Sequence, residues 1–283
     1  MRPHRSRPDH ASTADVPRHN RRARHSVLVG IHAIQETLRV GTRRIEIIWL
    51  AEGKEGKRLR QVMALAAARG TPTEVVAESR LVEAAGTPAH QGIVAFVAST
   101  PLLTFDQLTT RLASQSPIPP VVVLDGVKDP RNLGAIIRSA AVFGIGAVIV
   151  PGRRAVGITA TVAKAAAGGL EHVGVAEVTN ISASLERLKR LGFWVVGTDE
   201  QEEISCRTFT FPSPLALVFG DEGSGISPLV KRHCDALVGI PGRGPLQSLN
   251  VAVAAAVLFY EVVGQELRGR GEAVKPIPGA SSL

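Results

Sequence analysis

Short apolar runs that alternate with helical patterns constrain the fold of this 283-residue chain more than any other feature. The run Val121–Leu124 has no polar residue, as expected for a strand buried on both faces of a sheet. Further strand candidates are Ala147–Val150, Gly174–Val178, Trp194–Gly197, Ala216–Phe219 and Ala236–Ile240. Helical patterns lie between several of them, at Leu133–Phe143, Thr159–Ala167, Ser182–Leu191 and Leu249–Val263. The alternation predicts an α/β fold with a parallel sheet that is covered on both faces.

The first hundred residues show a shorter version of the same alternation. Apolar runs such as Val27–Val29 and Ile45–Leu50 are separated by helical patterns, which predicts a small α/β domain. Thr104 and Gln107 have the spacing of a capping box, and three prolines in Ser114–Pro120 mark a domain boundary. The predicted division is a disordered basic tail at 1–25, an N-terminal domain at 26–99, a linker at 100–120, a larger domain at 121–268 and a flexible tail at 269–283.

Positive charge is concentrated at the N-terminus. Residues 1–25 contain seven arginines against Asp9 and Asp15, a net charge of +5, so only +3 of the total +8 belongs to the rest of the chain. Such an arm is typical of a tether that seeks phosphate groups, and a solvated tail without a partner is the alternative. Aromatic residues make up only 4%, which argues against a base-stacking surface. Trp49 and Trp194 lie in strand-like runs and are predicted to be core residues.

Several classes of protein are disfavoured by the composition. The longest apolar candidate for a membrane span, Val251–Tyr260, is well short of the roughly 18 residues required. Cys206 and Cys234 are far apart and no CxxC pair occurs, which argues against a disulfide framework or a cysteine zinc site and favours a cytoplasmic protein. His32 and His90 are isolated in the sequence, so no metal site is predicted.

The first of three unusual segments follows the run Val121–Leu124 directly. Ligands of open parallel sheets bind beyond the carboxyl ends of the strands. Asn132 is predicted to cap a helix whose exposed amides would attract an anion. Arg138 interrupts an otherwise apolar helix, and its rigid fork of donors suits a phosphate or carboxylate. A helix cap with a surface arginine is the alternative interpretation.

The second segment, Phe219–Ile226, also follows a strand candidate and has the sequence FGDEGSGI. Its three glycines imply a tight backbone that a ligand can approach closely. Glu222 is predicted to accept a hydrogen bond from a ligand or to orient Arg138. No Gly-Lys-Ser or Gly-Lys-Thr follows, so the segment is not a Walker A loop. A glycine-rich turn with a solvated acid is the alternative.

The third segment, Ile240–Asn250, is rich in glycine and proline and leads into a helix of small residues. Ser248 and Asn250 can hydrogen-bond a ligand there, although helix capping alone would also explain both. The sequence contains no GxSxG elbow and no HExxH motif, and Gly144 and Gly146 precede a strand instead of following one. The strand-terminal acid-x-Gly-x-Gly pattern of class I methyltransferases is missing as well.

In this order and spacing, the three segments resemble the three motifs of the SpoU/TrmH (SPOUT) family of RNA ribose 2′-O-methyltransferases. The resemblance covers residues 120–265 and depends on Asn132 with Arg138, on the FGxEGxG loop, and on the IP…SLNVAVA stretch. In the last of these, Gly242 stands where relatives usually have methionine.

Other stretches resemble one subgroup of that family, the 23S rRNA guanosine-2′-O-methyltransferases. Gly30–Ile34 and His90–Ala95 match its N-terminal substrate-binding domain, and Ile158–Gly168 is also similar to this subgroup. The resemblance therefore implies an RNA substrate-binding domain at 26–99 and a SpoU-type methyltransferase domain at 121–268.

The resemblance further implies a deep trefoil knot in the C-terminal domain, with S-adenosylmethionine bound in a bent form inside it. Thr198, Gly220, Ile240 and Leu249 would contact this cofactor. The family also forms homodimers with the final helix in the interface. RNA is the expected partner, and neither a membrane nor DNA is expected.

The implied reaction transfers a methyl group to a ribose 2′-hydroxyl, with a guanosine of 23S rRNA or of a large-subunit precursor as the preferred substrate. Arg138 would lie beside that hydroxyl. Because a guanidinium stays protonated, we expect it to hold phosphate and stabilise the developing alkoxide while substrate phosphate or water takes the proton. Asn132 and Glu222 would orient Arg138 and the ribose, and Ser248 and Asn250 would complete the pocket.

Two alternatives stay open. Within the enzyme class, the substrate can instead be tRNA or an antibiotic-target nucleotide of rRNA. Outside it, the chain can be a non-catalytic RNA-binding or ribosome-assembly factor with the same fold, although such a factor need not retain all of the catalytic candidates.

Overall fold

The computed structural model describes residues 25–152, 157–246 and 248–271. Its first elements are β1 (His25–Val29), α1 (Ile31–Val40), β2 (Ile45–Ala51), α2 (Lys57–Ala68), β3 (Thr73–Val76), α3 (Glu78–Ala85) and β4 (Ile93–Ala98). The four strands form one sheet in the order β1-β4-β2-β3. In this sheet β4 is antiparallel to both neighbours, and β3 is parallel to β2.

The remaining elements build a larger sheet. They are α4 (Phe105–Ala113), β5 (Val121–Asp125), α5 (Pro130–Val142), β6 (Ala147–Pro151), α6 (Ala160–Ala166), a 3₁₀ turn (Gly169–Glu171), β7 (Gly174–Val178), α7 (Ile181–Arg190), β8 (Trp194–Thr198), β9 (Leu215–Gly220), α8 (Pro228–Lys231), β10 (Ala236–Val238) and α9 (Val251–Gly269). The six strands lie in the order β10-β8-β9-β5-β6-β7 and every pair is parallel. This confirms the predicted α/β fold with a parallel sheet; the trefoil knot stays a prediction.

The larger sheet is covered by helices on both faces, and alternate residues of its strands point into the two cores. Val122 and Leu124 of β5 face one core, together with apolar residues of α5, α6 and α9. Val121 and Val123 face a second core, which α4 and α7 close. The apolar run of β5 is thus explained by two layers of helices. Thr104 caps α4 through the predicted capping box with Gln107, so the segment at 100–120 contains a packed helix.

The two sheets share one of these cores. Leu28 of β1 and Ile34 of α1 belong to the same apolar cluster as Val162 and Ala166 of α6. Both domains of the predicted division therefore pack against each other through α1, β1, α6 and the 3₁₀ turn. The division itself, at 99 and 121, stays a prediction.

The predicted cap of α5 is wrong by three residues. The helix begins at Pro130, and its N-cap is Asp129, whose Oδ1 accepts a hydrogen bond of 2.7 Å from the amide of Arg131. Aspartate followed by proline is the favoured pair at a helix start, since proline has no amide hydrogen to satisfy at the first helical position. Asn132 lies inside the first turn, and its side chain is consequently free to bond elsewhere.

One of the two tryptophans departs from the prediction of core burial. Trp194 is 50% exposed because it is the first residue of β8, at the end of the sheet. Trp49 is partly buried, with its ring 4.7 Å from that of Phe96 and the guanidinium of Arg80 over it. Neither ring takes part in the cavity described below.

Both cysteines are free thiols. Burial raises the pKa of Cys206 above its usual range and that of Cys234 to about 11, so both are neutral at physiological pH. Among the residues that the structure describes, no helix is long and apolar enough to cross a bilayer. The predicted basic tail, up to residue 24, and the C-terminal tail, from residue 272, lie outside the described residues.

Candidate active site

Three asparagine and glutamate side chains from distant segments meet in one hydrogen-bonded group, which we call the polar triad: Asn132, Glu222 and Asn250. Glu222 Oε1 accepts from Asn132 Nδ2 at 2.8 Å and from Asn250 Nδ2 at 2.5 Å. Asn250 Nδ2 also lies 3.1 Å from Asn132 Oδ1. Each member of the triad comes from a different one of the three unusual sequence segments, so the predicted convergence of the three loops is observed.

Sheet topology explains why these residues meet. β5 and β9 are adjacent and parallel, and Asp125 at the end of β5 is in register with Gly220 at the end of β9. The segments that follow the two strands therefore leave the same edge of the sheet. Asn250 is the N-cap of α9, where its Oδ1 accepts from the amides of Ala252 and Val253. One side chain thus begins the last helix and also bonds to the other two segments.

The glycine-rich loop after β9 is folded back on itself. Backbone hydrogen bonds of 3.1 and 2.8 Å join Asp221 and Gly225 in both directions. A Cβ atom at Gly220 would lie 1.9 Å from the carbonyl carbon of Gly225, so only glycine fits there. Asp125 holds the end of the loop, since its Oδ2 accepts from the amide of Ser227 at 2.8 Å. The tight backbone inferred from the three glycines is present.

A cavity of about 440 Å³ opens beside this loop. All four residues predicted to contact the cofactor line it: Thr198, Gly220, Ile240 and Leu249. Glu222 and Ser248 line it as well, so the triad lies at its edge. The volume falls within the range of about 300–1,000 Å³ that is usual for small-molecule sites.

An ion pair that sequence reasoning missed lies at the rim of the cavity. Asp199 follows β8 directly and bonds to Nζ of Lys231 in α8. The hydrogen bond with Lys231 lowers the pKa of the Asp199 carboxyl, and the same bond raises the pKa of the Lys231 ammonium. Asp199 could have been found from sequence, because it follows a strand candidate just as Asp125 and Asp221 do. Lys231 carried no comparable signal.

Arg138 lies apart from the triad and the cavity. It is exposed on α5, six residues beyond Asn132, which is about 9 Å along the helix axis and on another side of it. Among the described residues it has no hydrogen bond or ion pair, so Glu222 bonds to the two asparagines and not to Arg138. The expected orientation of Arg138 by Asn132 and Glu222 is therefore not observed within one chain.

Comparison with known protein families decides what kind of site this is. Residues 119–260 match the model of the SpoU rRNA Methylase family. The chain belongs to this family. Residues 27–102 match a second model, that of the substrate-binding domain of RNA 2′-O ribose methyltransferases. The larger sheet with its cavity is thus a SpoU domain, and the four-stranded sheet belongs to the RNA-substrate-binding class.

Named relatives of this SpoU protein cover most of the chain. It is 41% identical over 238 residues to the putative TrmH family tRNA/rRNA methyltransferase YacO of Bacillus subtilis, with 84% of this chain and 95% of the relative covered. It is 38% identical over 239 residues to the 23S rRNA (guanosine-2′-O-)-methyltransferase RlmB of Shewanella oneidensis, with 84% and 97% covered.

A solved structure shows the same architecture. The SpoU methyltransferase AviRb of Streptomyces viridochromogenes, crystallised with AdoMet, superposes with a TM-score of 0.72 at 25% identity and covers 89% of this chain and 95% of its own. The present SpoU protein is an RNA 2′-O-methyltransferase that uses S-adenosylmethionine. The predictions of family, enzyme class and cofactor are confirmed.

The cavity fits this cofactor chemically. Its floor is apolar and suits an adenosyl group, since it is formed by Phe219, Val238, Ile240, Val251 and Ala254. Its rim carries the acidic side chains of Asp199, Glu200, Asp221 and Glu222. Lys231 pairs with Asp199 and Lys128 with Asp221, so among the described residues Glu200 and Glu222 supply the negative charge that is not compensated by an ion pair. S-adenosylmethionine supplies an electrophilic methyl group on a positively charged sulfonium, and negative charge at the rim favours a cation of this kind.

The triad provides a first prediction. In the Glu222→Ala variant, the amides of Asn132 and Asn250 lose their shared acceptor, and the edge of the cavity loses its order. We expect the rate of methyl transfer to fall by about 10–10²-fold, the scale of a lost positioning contact. Steady-state transfer of labelled methyl to RNA measures it. The matched control is Glu203→Ala, an exposed acid away from the cavity, which should retain the full rate.

Proposed function

We propose that this enzyme methylates the 2′-hydroxyl of a guanosine in 23S rRNA, and that Asn132, Arg138, Glu222, Ser248 and Asn250 form its catalytic site. The observation that carries the proposal is the triad at the edge of the cofactor cavity, where an incoming ribose would meet the methyl donor. The choice of 23S rRNA is supported by the RlmB relative, which aligns over 97% of its own length and so includes both domains.

The chemistry required of the protein is orientation and charge stabilisation. An oxygen of the ribose must be held in line with the donor methyl, and the negative charge that develops on it must be stabilised. The triad offers amide donors for the ribose, and Ser248 adds a hydroxyl at the same edge. Arg138 would bind the adjacent phosphate and the developing alkoxide, while phosphate or water accepts the proton because a guanidinium cannot.

We infer that the active form is a homodimer, because α9 carries an uncovered apolar stripe. Val253, Val257 and Tyr260 repeat at helical spacing, and Tyr260 is 63% exposed. The C-terminal end of α5 adjoins the stripe, since the ring of its C-cap residue Phe143 lies 6.3 Å from that of Tyr260. The preceding residue, Val142, is also exposed. Two copies packed through such stripes would form the self-complementary interface of a two-fold dimer.

In such a dimer, Arg138 of one copy would lie near the active-site cavity of the other. Arg138 is one helical turn from Val142, so it borders the same exposed face of α5. In a two-fold pair, this face would lie against the partner, whose own triad is directly before the start of its α9 stripe. We therefore propose that Arg138 of one copy serves the cavity of the other.

The test of the proposed substrate compares ribose methylation in RNA from cells with and without the gene. Loss of one methylated guanosine in 23S rRNA, restored by the purified enzyme acting on that RNA with S-adenosylmethionine, is the expected result. Loss of a tRNA methylation instead would assign the enzyme to tRNA. Binding of RNA with no methyl incorporation anywhere would favour the assembly-factor alternative and overturn the proposal.

The basic tail supplies a second prediction. Removal of residues 1–24 deletes seven arginines and leaves β1 and the folded part intact. Because each phosphate contact releases counterions, RNA affinity should fall and its dependence on salt concentration should flatten by several units of slope. Filter-binding titrations at a series of salt concentrations measure both. An unchanged slope would mean that the tail makes no phosphate contacts.

A further inference from the structure

A short segment of the SpoU domain, Gly168–His172, lies between Arg138 and the substrate-binding domain. It contains the 3₁₀ turn and follows α6. On one side, a Cβ atom at Gly169 would lie 3.0 Å from the carbonyl oxygen of Ile137 and 3.2 Å from Cα of Arg138. The turn is thus in close contact with the backbone that carries the arginine. The same segment bears Glu171, which points to the other domain.

The side chain of Glu171 is fully buried, and every hydrogen bond that its carboxylate accepts comes from the substrate-binding domain. Its Oε1 accepts from Thr37 Oγ1 at 2.9 Å, from Arg43 Nε at 2.8 Å and also from Arg43 Nη2. Its Oε2 accepts from Thr42 Oγ1. The side chain of Arg43 is only 5% exposed and that of Glu171 is 0% exposed. One carboxylate therefore gathers four hydrogen bonds from the domain across the interface.

The contact leaves little freedom for the domains to slide. A Cβ atom at Gly168 would lie 2.7 Å from Cβ of Glu36 in α1, so the backbone of the turn touches that helix directly. His172 and Glu36 add a second pair at 2.8 Å, which is more exposed than the first. A buried charged group with several directional donors fixes one relative arrangement, whereas apolar packing alone tolerates small shifts.

We propose that Glu171 is a positioning residue. The hydrogen bonds that its carboxylate accepts from Arg43, Thr37 and Thr42, which we call the clasp, fix the RNA-binding domain relative to Arg138. This inference rests on the proposed function, because it assigns to Arg138 the contact with the substrate. RNA held by the first domain then reaches the arginine with its target ribose already placed. A displacement of about 1 Å far from the reacting atoms can cost about 10²-fold in rate, so a loosened clasp should be visible in catalysis.

The experiment uses the full chain with Glu171→Gln. Single-turnover methyl transfer is measured with enzyme in excess over RNA at saturating cofactor, and the KM for RNA comes from steady-state transfer over a range of RNA concentrations. We expect the rate to fall by about 10–10²-fold and the KM for RNA to rise, while the Kd for S-adenosylmethionine stays within about twofold of the wild-type value. The cofactor cavity is formed by β8–α9 residues away from the clasp, so its affinity reports on folding of the SpoU domain. Glu177→Gln, an exposed acid of β7, is the matched control and should leave all three values unchanged.

A second variant keeps the test decisive if Glu171→Gln leaves Arg43 buried without a counter-charge and the chain fails to fold. The double variant Arg43→Gln/Glu171→Gln removes both charges, and it should be as slow as the single variant and no slower, because the two residues act through one contact. Arg43→Lys keeps the positive charge opposite Glu171, so this variant should be faster than the double variant and slower than the wild type.

The outcomes separate this inference from the proposed function. If both glutamine variants have the wild-type rate and KM, the positioning role of Glu171 is overturned, while the methyltransferase assignment survives. A loss of affinity for S-adenosylmethionine as large as the loss of rate would also overturn the inference, since Glu171 would then merely support the fold. Absence of RNA methylation by the wild-type protein would instead refute the proposed function.

Discussion

Arg138→Ala should reduce methyl transfer by about 10²–10⁴-fold while leaving cofactor affinity unchanged, which is the scale expected for a lost group that stabilises transition-state charge. The reason is structural as well as chemical. Arg138 is exposed and has no hydrogen bond or ion pair with another described residue, so its removal breaks no polar contact among these residues. The measurement is single-turnover transfer of labelled methyl, with calorimetry for cofactor binding.

The controls for Arg138 distinguish the contribution of its planar pair of donors from that of its positive charge. Arg138→Lys keeps a cation but loses the planar pair of donors, so we expect only partial recovery. Arg190→Ala removes an exposed arginine of α7, on the opposite side of the sheet, and should have the wild-type rate. A near-normal single-turnover rate for Arg138→Ala would reject the role assigned to this residue.

Much of the architecture follows from local signals in the sequence. The strands of the larger sheet are apolar and flanked by helical patterns, so the residues of Val121–Leu124 are enough to identify a doubly covered strand. Capping chemistry is equally readable at Thr104. The prediction of an α5 cap at Asn132 is wrong because the nearby Asp129-Pro130 pair forms the stronger start signal.

The relations between distant residues are less accessible. Strand ends and family resemblance are enough to anticipate the convergence of Asn132, Glu222 and Asn250. They do not determine which atoms bond, since register and helix rotation decide whether Glu222 meets asparagine or arginine. The clasp of Glu171 carries no local signal at all, because a buried acid in a short turn becomes meaningful only when Arg43 is brought against it by tertiary packing.

Gly220→Ala should reduce affinity for S-adenosylmethionine by about 10²-fold, which corresponds to about 2.7 kcal/mol. The added methyl group would lie 1.9 Å from the carbonyl carbon of Gly225 and 2.2 Å from the amide nitrogen of Ile226. Both atoms belong to backbone and cannot be relieved by rotating a side chain, so the loop has to move. Because this loop lines the cavity that we propose for the cofactor, the cavity changes shape with it. Overpacking of this kind also costs about 1–3 kcal/mol of stability, measured by thermal unfolding.

Gly269→Ala is the matched control, since nothing lies within 4 Å of a Cβ atom at this position in the last turn of α9, away from the cavity, and it should bind cofactor normally. The Gly220→Ala chain also tests where Arg138 acts. In a mixed dimer with the Arg138→Ala chain, the Gly220→Ala chain supplies an intact arginine and its partner supplies an intact cavity. If sites are shared between copies, one of the two sites is then complete, and the mixed dimer should regain up to half of the wild-type activity. If each chain uses its own arginine, the mixture should stay as inactive as its parts, and wild-type cofactor affinity in Gly220→Ala would show that the loop does not shape the site.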